Sequence, residues 1–197
     1  MSFEDFIFVL NSYGVFKAAI AAAIVIAVYI MIRVIFLKVK KLPRKPISEE
    51  IFRALLAGYI AALIMMVWFP WDELRFIRSG QIKNWAELIQ LGHYTNNMWI
   101  WQFLFEGRRD GLIEFELAAN VALFVPLGFL IPMIWQKLKW WQVDLICLGT
   151  TCVVELAQPL VARTGDLDDV ITNFLGGVIG CAIAKFVLKI INSRKTA

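Results

Sequence analysis

Long apolar runs dominate the chain, and five of them approach or meet the roughly 20 residues that a helix needs to cross the hydrocarbon core of a bilayer. They cover residues 15–37, 54–71, 117–135, 143–161 and 170–191. Polar residues collect between these runs. The connection after the first is basic, the segment from Asp72 to Glu116 mixes charge with aromatic rings, and the short stretch after Val161 is acidic. The pattern predicts an all-α integral membrane protein with about five transmembrane helices, plus an outer loop carrying interfacial helical segments. Pro43 and Pro46 read as a stop after the first helix, because proline lacks a donor and restricts its predecessor. Ser48 is followed three residues later by Ile51, which makes no capping box, so hydrophobicity alone sets the start of the second span.

Loop charge orients the helices, since short cytoplasmic loops are rich in Lys and Arg. Lys38, Lys40, Lys41, Arg44, Lys45 and Arg53 place the first connection inside, and alternation puts Lys137, Lys139, Lys189, Arg194 and Lys195 with it. Glu4, Asp5, Asp72, Glu73, Glu106, Asp110, Asp166, Asp168 and Asp169 then fall outside, which gives N-out and C-in. Lys17, Arg33, Lys185 and Lys189 stand near span ends, where each can snorkel to the interface. The acidic start lacks the basic region of a signal peptide, so the first run is expected to be a retained helix.

Composition turns the pattern into an exclusion. Of the 197 residues, 60% are of the AVILMFWYC type, against roughly 45–50% for an ordinary soluble domain. Mean hydropathy is +0.68. A chain of this size buries about 70% of the surface it exposes when unfolded, so the excess would leave large apolar patches in water. A soluble enzyme, a secreted disulfide scaffold and a disordered protein are excluded. The net charge of +4 tracks membrane orientation, and no basic stripe lies on a polar amphipathic element as nucleic acid would require. Cys147, Cys152 and Cys181 lie in apolar runs without a CxxC and read as small apolar residues. His93 has no second histidine for a metal and reads as a solvated loop residue. Trp85, Tyr94, Trp99, Trp101, Phe103 and Phe105 suit an interfacial belt, with a ligand-binding aromatic platform as the other reading.

The polar groups inside the later spans carry more information. At a rise of 1.5 Å per residue, Asn120 and Asn173 lie about one turn below the outer surface, and Glu155 lies roughly 9 Å deep. Thr151, Glu155 and Gln158 share a helix face through i+4 and i+3 spacing, and Asp169, Asn173, Gly177 and Gly180 stack likewise. Gly176 and Gly180 form a GxxxG pair that admits another backbone. Pro126 removes an intrahelical bond and Gly128 relaxes the helix further, which leaves a kink or a broken helix. An ionisable side chain costs at least about 2.5 kcal/mol in a bilayer, so the convergence is expected to line a polar cavity, open to the outside, between spans three to five. Asn120 and Asn173 could equally act as interhelical glue. Glu155 points to function, since glue needs no carboxylate, and a pairing with Arg163 folded back over the site is the structural alternative. Asp168 or Asp169 could cap the last span from a solvated turn. With Asp166 they could instead hold a divalent cation through hard oxygen ligands; otherwise no cofactor is expected.

Four stretches together resemble the VanZ-like membrane protein family over roughly residues 54–185. They are Asn120-Val-Ala-Leu-Phe124-Val-Pro126-Leu-Gly128-Phe, Glu155-Leu-Ala-Gln158, Arg163-Thr-Gly-Asp166-Leu-Asp168-Asp169, and Asn173-Phe-Leu-Gly176-Gly177-Val-Ile-Gly180. The resemblance implies a four-helix VanZ-like membrane domain at 46–191, with 1–45 supplying an extra transmembrane helix and a basic cytoplasmic linker. It also implies a multi-pass protein of the bacterial cytoplasmic membrane, linked at the cell envelope to resistance against glycopeptide antibiotics of the teicoplanin type.

The leading expectation is a non-enzymatic protein whose partners are the bilayer and a lipid-linked cell-wall precursor or a glycopeptide. Asn120, Glu155, Gln158, Arg163, Asp166, Asp169 and Asn173 are the candidate ligand-binding residues, with Arg163 suited to a phosphate or carboxylate. Pro126, Gly128, Gly176, Gly177 and Gly180 are the structural ones. Competing with it is an intramembrane enzyme acting on a lipid headgroup, with Glu155 as general acid or base. A third reading is a small transporter or assembly subunit, against which stand the lack of an internal repeat and polar groups confined to one leaflet.

Overall fold

The computed structural model describes residues 14–39, 46–68, 79–80, 84–107 and 111–196. The acidic positions 4–5 and 72–73, Asp110, and the helix stop expected through Pro43 lie outside the described residues. In chain order the elements are α1 (Val15–Val39), α2 (Ile47–Val67), α3 (Trp85–Ile89), β1 (His93–Thr95), α4 (Trp99–Phe105), α5 (Gly111–Ile134), α6 (Trp140–Ala157), a 3-10 turn (Gln158–Val161), β2 (Thr164–Asp166) and α7 (Leu167–Thr196). Five of the helices, α1, α2, α5, α6 and α7, are long and apolar enough to cross a membrane. The protein is therefore an all-α membrane protein, to which a short strand pair, absent from the sequence expectation, is added.

Helix ends differ from the apolar runs where charge finds a partner. α2 starts at Ile47, seven residues before the apolar run, because Glu49 and Glu50 in its first turn favour the positive end of the helix dipole and are paired. Arg53 bonds Glu49 at 2.8 Å, and Arg33 of α1 bonds Glu50 at 2.7 Å, with the Tyr29 hydroxyl donating to the same carboxylate at 3.0 Å. Arg33 thus docks α1 on α2 instead of snorkelling. α5 starts at Gly111 and runs unbroken to Ile134 with Pro126 and Pro132 inside it, so the broken-helix alternative is overturned: the one donor that each proline lacks does not stop a helix packed on both sides.

Successive long helices alternate in direction, which makes α5 and α7 parallel. Their contact is the closest in the bundle. A Cβ built on Gly176 would stand 2.1 Å from the Val121 carbonyl oxygen, one on Gly180 2.1 Å from that of Val125, and one on Gly128 1.9 Å from that of Gly177. Only hydrogen fits at these positions, as the GxxxG spacing predicts. Gly177 instead faces Cys147 of α6, so the expected single stack on α7 divides between two neighbours. The core lies between α2, α5, α6 and α7, where Leu63, Phe124, Leu127, Ile131, Val143, Cys147 and Val154 pack together. All three cysteines are free thiols. Apolar side chains on the outside of the bundle, such as Leu145, Val153, Leu175 and Ile183, are exposed, as contact with lipid tails requires.

Candidate functional site

Glu155 occupies the last turn of α6 and is only 5% exposed. Three neutral donors surround its carboxylate. Asn173 Nδ2 donates to Oε1 at 3.3 Å, and the backbone N–H of Asp166 donates to Oε2 at 3.2 Å. Gln158, with its amide turned so that the nitrogen faces two acceptors, donates to Glu155 Oε2 at 2.8 Å and to the Thr164 carbonyl at 2.6 Å. Flanking the carboxylate, Asn173 Oδ1 and Thr151 Oγ1 are buried without hydrogen bonds.

Local chain chemistry builds this position. Pro159 has no N–H, so the Glu155 carbonyl loses its helical donor, and the chain leaves α6 through the 3-10 turn and a left-handed Ala162 at φ 61°. Gly165 lies flat on that carbonyl, where a Cβ would come within 2.5 Å of the oxygen and 2.9 Å of the Tyr94 ring. β2 then pairs with β1 in parallel, matching His93 with Thr164, Tyr94 with Gly165 and Thr95 with Asp166. Tyr94 adds a bond from its hydroxyl to the Leu156 carbonyl at 2.9 Å. Just before β1, Gly92 sits against Pro159, with room for no side chain: a Cβ would stand 2.0 Å from the Pro159 oxygen.

Three aspartates at the start of α7 each hold a different element. Asp166 Oδ1 caps the helix by accepting the Asp168 N–H at 3.0 Å, and its Oδ2 accepts Asn97 Nδ2 at 2.6 Å. Asp168 Oδ2 accepts the Trp99 N–H at 2.6 Å, which ties down the first turn of α4 after the left-handed Met98. Asp169 Oδ1 accepts Asn120 Nδ2 of α5 at 2.6 Å. Carboxylates near a helix N-terminus also favour the dipole. Among the described residues, no group of three or more His, Cys, Asp or Glu side chains is placed to hold a metal ion, and the aspartate oxygens point at amide donors. Together these bonds clamp the 93–105 segment onto the end of α6 and the start of α7, and tie α5 to α7 beside it.

A family model, VanZ/LLP1, matches residues 56–189, about two thirds of the chain. The chain belongs to the VanZ/LLP1 family. No curated protein and no solved structure matches it significantly. α1 and the start of α2 lie before the matched residues, whereas every candidate site residue lies within them.

In this VanZ-family protein, Glu155, Gln158, Asp166 and Asn173 meet around one carboxylate, while Asn120 and Asp169 form a separate pair between α5 and α7. The capping role expected of Asp168 or Asp169 belongs to Asp166, and Asp168 is 5% exposed instead of solvated. Arg163 is half-buried in the connection to β2, and its backbone N–H closes the turn on the Gln158 carbonyl at 3.2 Å. His93 is exposed, with Nε2 3.4 Å from the Thr164 hydroxyl. Trp101 and Phe105 are exposed and stack at 4.4 Å between ring centres, whereas the Trp85 side chain lies outside the described residues. Asn97 and Gly92 are site residues that sequence reasoning missed, and Tyr94, expected only among the aromatic rings of the outer segment, also bonds the Leu156 carbonyl. The one local hint was a polar Asn96-Asn97 pair set among aromatic residues.

Proposed function

We propose that this VanZ-family protein lowers susceptibility to teicoplanin-type glycopeptides from the outer face of the bacterial cytoplasmic membrane, as a binding protein and not as an enzyme. The supporting observation is the clamp: buried carboxylates and amides are spent on fixing the 93–105 segment to the bundle, and that segment presents the stacked Trp101 and Phe105 to its surroundings. With N-out and C-in topology this surface faces outside, at headgroup depth, where a lipid-linked cell-wall precursor or a glycopeptide is found. Arg163, at the same end of the bundle, suits the phosphate or carboxylate of such a ligand. On this reading Asn120, Glu155, Gln158, Asp166, Asp169 and Asn173 are positioning residues beneath the binding surface. A headgroup-modifying enzyme with Glu155 as acid or base has less support, because both carboxylate oxygens already accept bonds in a buried place.

Susceptibility to teicoplanin and other precursor-directed drugs, compared among deletion, wild-type, Glu155→Gln and Arg163→Ala strains at equal protein amounts, tests the reading. Glu155→Gln puts an NH2 where three donors converge, so protection should fall between wild type and deletion. Equal susceptibility of deletion and wild type across the panel would sink the proposal. Labelling of Asn96→Cys by an impermeant thiol reagent from outside, with Lys137→Cys protected, checks the orientation.

A further inference from the structure

At the opposite end of α6, roughly 16 Å along the helix from Glu155, an open cleft of about 630 Å³ lies between the start of α6 and the second half of α7. Its charged residues are Lys139, Asp144 and Lys185, and Trp140 and Trp141 line it as well. Both indoles are substantially exposed, as rings at headgroup level are. Asp144 is half-buried and presents its carboxylate in the lining of the cleft. A carboxylate at the edge of a largely apolar cleft favours a charged N–H donor as its partner. Lys185 is held in place by its bond from Nζ to the Leu138 carbonyl at 2.7 Å, which leaves two ammonium protons for another acceptor. Lys139 precedes α6 with its backbone N–H tied to Gln142 Oε1 at 2.9 Å. The rest of the lining, Val178 and Ala182 included, is apolar.

Two cations and one carboxylate in the same apolar cleft call for a ligand that joins an anion to a primary ammonium over a short link and continues into an apolar tail. We propose that this cleft seats the headgroup of a phosphatidylethanolamine-type lipid, its phosphate between Lys139 and Lys185 and its ammonium on the Asp144 carboxylate. A choline headgroup carries no N–H to donate, and a glycerol headgroup carries no positive charge. Basic recesses between transmembrane helices are established places for phospholipid headgroups; the addition of Asp144 makes this one selective for an amine.

Native mass spectrometry of the full chain in detergent, titrated with phosphatidylethanolamine, phosphatidylcholine and phosphatidylglycerol of identical acyl chains, tests the assignment. Wild type should retain the ethanolamine lipid roughly fivefold better than the choline lipid, the size of one charge-assisted hydrogen bond at a partly exposed position. Asp144→Ala should abolish that preference, and Lys139→Ala should weaken both lipids alike. Soluble phosphoethanolamine, lacking a tail, should not displace the lipid at equal concentration. Equal retention of ethanolamine and choline lipids by the wild type overturns the proposal without reference to any variant. So does preference for the glycerol lipid, displacement by soluble phosphoethanolamine, or an unchanged preference in Asp144→Ala.

Discussion

Gly128 marks the point where the parallel helices α5 and α7 come closest, and adding one methyl group there tests the packing directly. In Gly128→Ala the new Cβ would lie 1.9 Å from the Gly177 carbonyl oxygen and 2.9 Å from the Cys181 nitrogen, whereas real contacts of this kind essentially never fall below 3.0 Å. The helices must therefore part by about 1.1 Å. Both obstructing atoms are backbone, so no rotamer change relieves them. The opening also loosens the seats of Gly176 on Val121 and Gly180 on Val125, and a gap of about 1 Å forfeits up to about half of each contact's attraction. Between helices in lipid this attraction is a main source of association. Overpacking typically costs about 1–3 kcal/mol, and a backbone clash belongs at the upper end, near 3 kcal/mol, even after a helix-propensity gain of about 1 kcal/mol. Gly149 supplies the control, since it is exposed in mid-α6 and a Cβ there meets nothing within 4 Å. Thermal unfolding of both variants in one detergent, followed by tryptophan fluorescence, should show Gly128→Ala melting below wild type and Gly149→Ala at or above it. If Gly128→Ala melts no lower than Gly149→Ala, the close-approach reasoning is wrong.

Asp166→Ala removes the α7 cap, at a cost of about 1 kcal/mol, and the acceptor of Asn97. Amide deuterium uptake should rise across residues 93–105 while α5 stays protected, and unchanged uptake in that segment would refute the clamp. Glu50→Ala strips Arg33 and Tyr29 of their shared acceptor. Disulfide trapping between Ile26→Cys and Gly58→Cys, positions that face each other across α1 and α2 so that a Cβ on Gly58 would stand 2.7 Å from the Ile26 side chain, should then become less efficient; equal trapping would mean that the ion pair does not position α1.

Lipid imposes a length on apolar runs, and for that reason the five spans were legible without a structure. Their ends were not. Glu49, Glu50, Glu114 and Glu116 look like loop residues by hydropathy, yet Glu49 is paired within its helix, Glu50 is paired across to α1, and all four lie in helical turns. Depth arithmetic set Glu155 level with Asn120 and Asn173; Asn173 does bond the Glu155 carboxylate, whereas Asn120 bonds Asp169. What spacing along one helix cannot supply is which neighbour each face meets, so the expected stack on α7 split, with Asn173 and Gly177 turned to α6 and Asp169, Gly176 and Gly180 to α5. Asn97 was invisible for a different reason. Its acceptor Asp166 is 69 residues away, and only local patterns can be read from a single chain.

The pairing of β1 with β2 has a topological meaning. Two full helices, α5 and α6, intervene between His93 and Thr164, so the strands can meet only when the chain has crossed the bilayer twice and returned to the side it left. A chain that fails to insert either helix leaves Asp166 and Asp168 across the membrane from Asn97 and the Trp99 amide. The donors then stay unclaimed and the 93–105 segment stays open to proteases. Closure of a three-residue ribbon thus requires that both helices, 24 and 18 residues long, have been inserted.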